Sequence, residues 1–170
     1  GNTADWIYTY TIDIITAPVV PANGTESVVC FDDVYIPTPP VVTDVCGNAI
    51  VPVMTEGADP VCVGDKVYTF TYTDCSGNAT DWTYTFSIND DVAPTASNPV
   101  TISVPGSMNV PAPDVTVVTD EADNCDPNPQ VTWVNDVSTG TPCVDEVIVR
   151  TYMITDACGN TTTVTQNIII

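Results

Sequence analysis

The groups able to do chemistry in this sequence are carboxylates and cysteines. Twenty-two Asp and Glu face only two strong cations, Lys66 and Arg150, and there is no His. The acidic residues bunch twice: in Asn89-Asp90-Asp91, and in Asp120, Glu121, Asp123, Asn124, Asp126 and Asn128. Calcium takes about six to eight oxygen ligands, which only dense carboxylate loops supply. Both runs are therefore candidate calcium sites, with Asn89, Asp90, Asp91, Asp120, Glu121, Asp123 and Asp126 as ligands. The competing reading is a pair of solvated turns, because Asp and Asn favour turns through bonds to their own backbone. Asp13-Ile14-Ile15 and Thr43-Asp44-Val45 occupy the equivalent places elsewhere and lack that density.

The seven cysteines form no paired C-x-x-C knuckles, and without His they do not suggest mixed zinc sites. They read as disulfides, which places the chain in an oxidising compartment. No enzyme site emerges. The commonest general base is missing, and no Ser sits in a Gly-x-Ser-x-Gly setting. Asn23-Gly24-Thr25, Asn78-Ala79-Thr80 and Asn160-Thr161-Thr162 fit the glycosylation sequon, making Asn23, Asn78 and Asn160 candidate acceptors. A net charge of −20 repels phosphate backbones and anionic lipid. Nucleic acid and membrane insertion are thus not expected, and divalent cations or basic surfaces are. No signal peptide or long apolar run is present, so the sequence reads as a mature product or an internal fragment.

These groups must be positioned by β-strands. Val, Ile, Thr and Tyr suit a pleated, half-buried surface, and 15 Pro and 9 Gly punctuate the chain. Trp82, Tyr84, Phe86 and Ile88 alternate with Thr83, Thr85 and Ser87, while Tyr68, Phe70 and Tyr72 alternate with Thr69, Thr71 and Thr73. That is the period of a strand with one buried face. Trp6, Tyr8, Tyr10 and Ile12 repeat the pattern.

A long repeat sets the organisation. Gly1-Asn2-Thr3-Ala4-Asp5-Trp6 matches Gly77-Asn78-Ala79-Thr80-Asp81-Trp82, and a weaker copy begins at Gly159-Asn160. Ala17-Pro18 recurs as Ala93-Pro94, and Thr73-Asp74-Cys75-Ser76-Gly77-Asn78 as Thr155-Asp156-Ala157-Cys158-Gly159-Asn160. The period fits one small β-sandwich. The expected layout is the last strand of a preceding module over residues 1–16, or a strand donated to a neighbour, followed by modules at 17–91 and 92–170. On this reading the natural polypeptide continues upstream.

Ala-Pro near each module start, Thr-Asp-x-Cys, and Thr-Asp-Ala-Cys-Gly-Asn before a Thr-rich last strand resemble HYR-like (hyalin-repeat) modules. They are similar to the four-cysteine kind strung along giant surface proteins of Bacteroidota, including gliding-motility and other adhesins. Cys75 departs from the pattern by standing one place early. The resemblance implies an all-β fold of tandem immunoglobulin-like sandwiches with disulfides, to which the repeat adds the orphan N-terminal strand. It also implies a place in extracellular stalks, adhesins or filaments, and no catalytic residue.

Within that fold the cysteines can be paired provisionally. Four cysteines in the first module allow three connectivities. An immunoglobulin-like strand order puts Cys46 and Cys75 at one pole and Cys30 and Cys62 near the other. Cys46–Cys75, Cys30–Cys62 and Cys125–Cys158 are the expected bridges, leaving Cys143 alone; pairing Cys125 with Cys143 would instead leave Cys158. Asn89-Asp90-Asp91 resembles the acidic linkers of cadherin-like arrays, which share cations between modules. The expected function is a semi-rigid extracellular spacer able to assemble into fibres, with neighbouring modules or like chains as partners. The alternative is an adhesion module that binds a glycan or surface, with calcium-stiffened linkers.

Overall fold

The computed structural model describes residues 1–10, 15–141 and 144–170. The fold is all-β, and no α-helix occurs among the described residues. The strands are β1 (Gly24–Val28), β2 (Val42–Thr43), β3 (Ala49–Ile50), β4 (Val53–Glu56), β5 (Val63–Thr73), β6 (Ala79–Asn89), β7 (Ile102–Ser103), β8 (Gln130–Thr141), β9 (Val144–Thr155) and β10 (Thr161–Ile169). They form one four-stranded sheet in the order β1-β6-β5-β4, a second in the order β7-β10-β9-β8, and a two-stranded pair β2-β3.

The chain divides into two compact units. Unit 1 holds residues 1–26, 35–58 and 66–86; unit 2 holds residues 27–34, 59–65 and 87–170. Segments 27–34 and 59–65, which precede the sequence boundary at 91/92, thus belong to unit 2.

In unit 1 the alternating aromatics are the core. Tyr68, Phe70, Tyr72, Trp82 and Phe86 are buried, and the threonines between them are more exposed. The polar ends of these rings are satisfied: the Tyr72 hydroxyl donates to Pro40 O at 2.6 Å and the Trp82 indole to Ala22 O at 2.9 Å. Lys66, only 3 % exposed, lays its ammonium on Glu56 and on Gly57 O, each at 2.9 Å.

In unit 2, Val118, Tyr152, Ile154 and Val164 form the central cluster, flanked by Ala96, Val117 and Val131. β9 and β10 pair antiparallel from Thr161↔Thr155 to Ile169↔Val147. β7 runs parallel to β10 through Ile168↔Ile102. Arg150 is 2 % exposed. Its guanidinium grips Asp136 through two bonds, at 2.9 and 2.8 Å, and also donates to Pro111 O and Ala112 O. Both strong cations are therefore committed to sheet-edge carboxylates and loop carbonyls.

One five-residue turn recurs three times. Asp44, Asp74 and Asp156 each accept the backbone N–H of the residue two places on and of the Asn four places on. Each also accepts the side-chain amide of that Asn. Gly47, Gly77 and Gly159 take the left-handed conformation in these turns, with φ of 85°, 87° and 89°, where a Cβ is disfavoured. This geometry explains Asp-x-x-Gly-Asn as a hairpin signal: it closes β2–β3, β5–β6 and β9–β10.

The expected last strand over residues 1–16 finds no partner edge among the described residues of this chain. Residues 1–10 form no strand, and Trp6, Tyr8 and Tyr10 are exposed. Alternation supplies a face to bury, but a strand persists only when its backbone finds a partner edge, and residues 1–10 have none among the described residues. Residues 11–14, including Ile12 and Asp13, lie outside the described residues.

Candidate functional site

Unit 2 gathers one aspartate from each of three separate segments. Asp90 follows β6, Asp123 lies in the loop before β8, and Asp156 opens the β9–β10 turn. Each offers a carboxylate oxygen, and these oxygens all lie within 4.8 Å of one another. Asp90 and Asp156 are buried, at 6 % exposure each, and Asp123 is half-buried.

Backbone contacts fix all three. The Asp90 N–H donates to Cys62 O at 3.1 Å. Asp123 Oδ2 accepts the N–H groups of Cys125 and Asp126, both at 2.9 Å. Asp156 Oδ1 accepts those of Cys158 and Asn160, both at 2.8 Å. The Asn160 amide joins two of the segments, donating to Asp156 Oδ2 at 2.9 Å and to Asp90 O at 3.1 Å. A two-residue bridge, Thr95↔Ala122, holds the Asp123 loop in place.

The electrostatics are unfavourable without a counter-charge. Like unit charges about 5 Å apart repel by ~3 kcal/mol at the effective dielectric of a protein periphery. Burial pushes the Asp156 carboxyl up, but the Asn160 side chain and the turn N–H groups outweigh it, and it stays below the ordinary carboxylate value. Asp90 Oδ2 and Asp123 Oδ1 are buried and have no hydrogen-bond partner. A cleft of about 220 Å³ opens beside Asp90, lined also by Cys30, Cys125, Asp126 and Cys158.

Two cystines frame this site. Cys30 bonds Cys125 and Cys62 bonds Cys158, with Cα separations of 5.2 and 5.3 Å. The expected bridges Cys46–Cys75, Cys30–Cys62 and Cys125–Cys158 are therefore corrected. Asp90 anchors Cys62 through its carbonyl and anchors the 156–160 turn through Asn160, which brings Cys62 to Cys158. Segment 27–34, within unit 2, brings Cys30 to Cys125. Cys46 and Cys75 are exposed free thiols on two of the recurring turns. Cys143 lies outside the described residues. The bridges close loops of 95 and 96 residues, and a loop of that size is worth roughly 4–5 kcal/mol in the chain-entropy account of disulfide stabilisation.

The acidic runs are used selectively. Asn89 and Asp91 are exposed beside Asp90. Asp120 is exposed and takes the Ser97 N–H on both oxygens. Glu121 is half-buried, with Oε2 buried and unpartnered. Asp126 caps its own turn by accepting the Asn128 N–H. Asp156 was outside both runs. Its signal was the Asp-x-Cys spacing it shares with Asp123-Asn124-Cys125, in which the carboxylate accepts the cysteine N–H.

Among the sequon residues, Asn78 and Asn160 are half-buried and donate their amide nitrogens to Asp74 and Asp156. Asn23 is exposed, and its Oδ1 accepts the Thr83 N–H.

Among the described residues, no helix is long and apolar enough to cross a membrane. Cystines form in oxidising surroundings, which points to an extracellular location. No curated protein matches the chain. A family model matches one span, which holds Cys30, Cys46, Cys62 and Cys75; Cys30 and Cys62 bond partners beyond it. By that match, residues 18–88 are similar to the HYR-like domain with 4 cysteines, a similarity that points to an extracellular module of the adhesion type.

Proposed function

We propose that this chain is a structural segment of a secreted or cell-surface stalk, filament or adhesin, and that it acts as a semi-rigid spacer. On this reading residues 17–91 and 92–170 are successive modules, with neighbouring modules or like chains in a fibre as partners, and gliding adhesins are one setting for such an array. The observation that carries it is the pair of long-range cystines. Each ties a residue of the first repeat to one of the second, so residues 30–62, 62–125 and 125–158 connect the two cystines in parallel, and tension between the chain ends does not run through the three in series. Proline-marked segments such as Ala17-Pro18 and Ala93-Pro94 fix φ and add stiffness.

Pulling the single chain by its ends tests this. The fully extended oxidised chain is expected to be shorter than the reduced one by the 96-residue span between Cys62 and Cys158, which the shortest covalent path, through residues 30–62, omits, about 320 Å at the extended rise per residue. Equal lengths before and after reduction would refute the load-bypassing role.

A second reading, adhesion to a surface glycan, is favoured by Trp6, Tyr8 and Tyr10. Their rings are exposed and stand 5.9 and 4.6 Å apart, an apolar ladder suited to sugar faces. Glycan-array binding that disappears in Trp6→Ala would support it; an array without signal would remove it.

A further inference from the structure

We infer that Asp90, Asp123 and Asp156 bind a single divalent cation of the calcium type. The inference stands on the geometry of unit 2 and holds whether or not the chain serves as a spacer.

Three observations converge. The first is spacing: three carboxylate oxygens from separate segments lie within 4.8 Å of one another. Two oxygens on one calcium ion stand at most about 5 Å apart, twice the Ca–O distance. The second is the unmet valence of the site. Asp90 is 6 % exposed, yet its Oδ2 has no hydrogen-bond partner, and neither does the buried Oδ1 of Asp123. A buried carboxylate oxygen without a donor is costly, and a cation at that point is what satisfies it. The third is the placement of positive charge. Lys66 lies on Glu56 and Gly57 O, and Arg150 on Asp136, Pro111 O and Ala112 O.

The donor chemistry selects the ion. All three ligands are hard oxygens. The nearby sulfurs of Cys125 and Cys158 are locked as disulfides, so no thiolate is there to favour zinc or another soft metal. Calcium accepts irregular oxygen sets completed by water, whereas magnesium demands a near-octahedral set and dehydrates reluctantly. The cleft beside Asp90 gives water and ion a route in.

The two acidic runs of the sequence therefore do not make two sites. One residue of each joins Asp156, and the exposed neighbours Asp91 and Asp120 stand outside the centre.

The test is calorimetric titration of the full, oxidised chain with calcium chloride, with magnesium chloride for comparison, alongside thermal unfolding in calcium and in chelator. One saturable calcium site is expected, with a Kd of about 10⁻⁴ to 10⁻³ M as in extracellular modules, together with a higher melting temperature in calcium. Asp90→Asn and Asp123→Asn should each abolish the calcium response. In chelator both should melt at or above the parent temperature, because a repelling charge is gone; this also shows that they fold. Asp91→Asn and Asp120→Asn should bind as the parent does. The proposal is overturned by absence of saturable calcium binding, by parent-like binding in Asp90→Asn and Asp123→Asn, or by equal weakening in all four variants, which would mean diffuse surface charge.

Discussion

The backbone N–H of Cys158 donates to the Asp156 carboxylate at 2.8 Å, so the cystine and the acid it follows are held as one unit. Cys125 and Asp123 stand in the same relation at 2.9 Å, and Cys62 accepts the Asp90 N–H through its carbonyl. Each of the three clustered carboxylates is thereby tied to a disulfide-bonded residue. The covalent framework and the acidic centre are two aspects of one local structure.

Asn160 is the side chain that joins two of these acids. Asn160→Ala removes its bonds to the Asp156 carboxylate and to Asp90 O and is expected to lower stability by about 1.5–3 kcal/mol, the usual worth of a hydrogen bond to a charged group. Asn160→Asp should cost more, because it sets a fourth carboxylate against the same centre. Urea denaturation of the oxidised chain at neutral pH and low salt measures both. An alanine variant as stable as the parent would mean that the turn backbone suffices.

The Asp136–Arg150 pair predicts a pH dependence. The Arg150 guanidinium holds the Asp136 carboxyl below its ordinary value of 3.8; burial opposes this as the next largest effect, and the Trp133 indole adds a smaller lowering. A carboxyl lowered in the folded state contributes stability that is fully present above its unfolded value and is lost as pH falls through the folded one. Asp136→Asn should therefore be less stable than the parent at neutral pH. The difference should shrink below about pH 4 as the parent carboxylate protonates. Denaturation midpoints of parent and variant across pH 2–7 (roughly the carboxylate range) check this; a gap independent of pH would contradict it.

Much of the fold was legible. Aromatic–threonine alternation in 68–73 and 82–88 gave the long strands of unit 1, because burial of one face has the period of the pleat itself. The Gly-Asn landmarks gave the hairpin turns, because only Asp, Gly and Asn at those offsets satisfy the turn and its left-handed residue. The Trp6–Tyr10 alternation forms no strand within this chain, because a strand is made by its partner as much as by its own pattern. Cysteine connectivity was not legible either. Cys62 and Cys158 are distant in sequence, and the contacts that unite them run through the Asp90 backbone and the Asn160 amide. For the same reason the carboxylate centre appeared as two local runs, and Asp156 was missed.

The most direct measurement of the account is disulfide mapping of the unreduced chain by mass spectrometry. Cleavage at its abundant acidic residues is the practical route, since Lys66 and Arg150 are its only lysine and arginine. The structure predicts linked peptides carrying Cys30 with Cys125 and Cys62 with Cys158, and free thiols at Cys46 and Cys75. Linkage of Cys30 to Cys62, of Cys125 to Cys158, or of Cys46 to Cys75 would contradict it and would remove the framework that draws the three aspartates together.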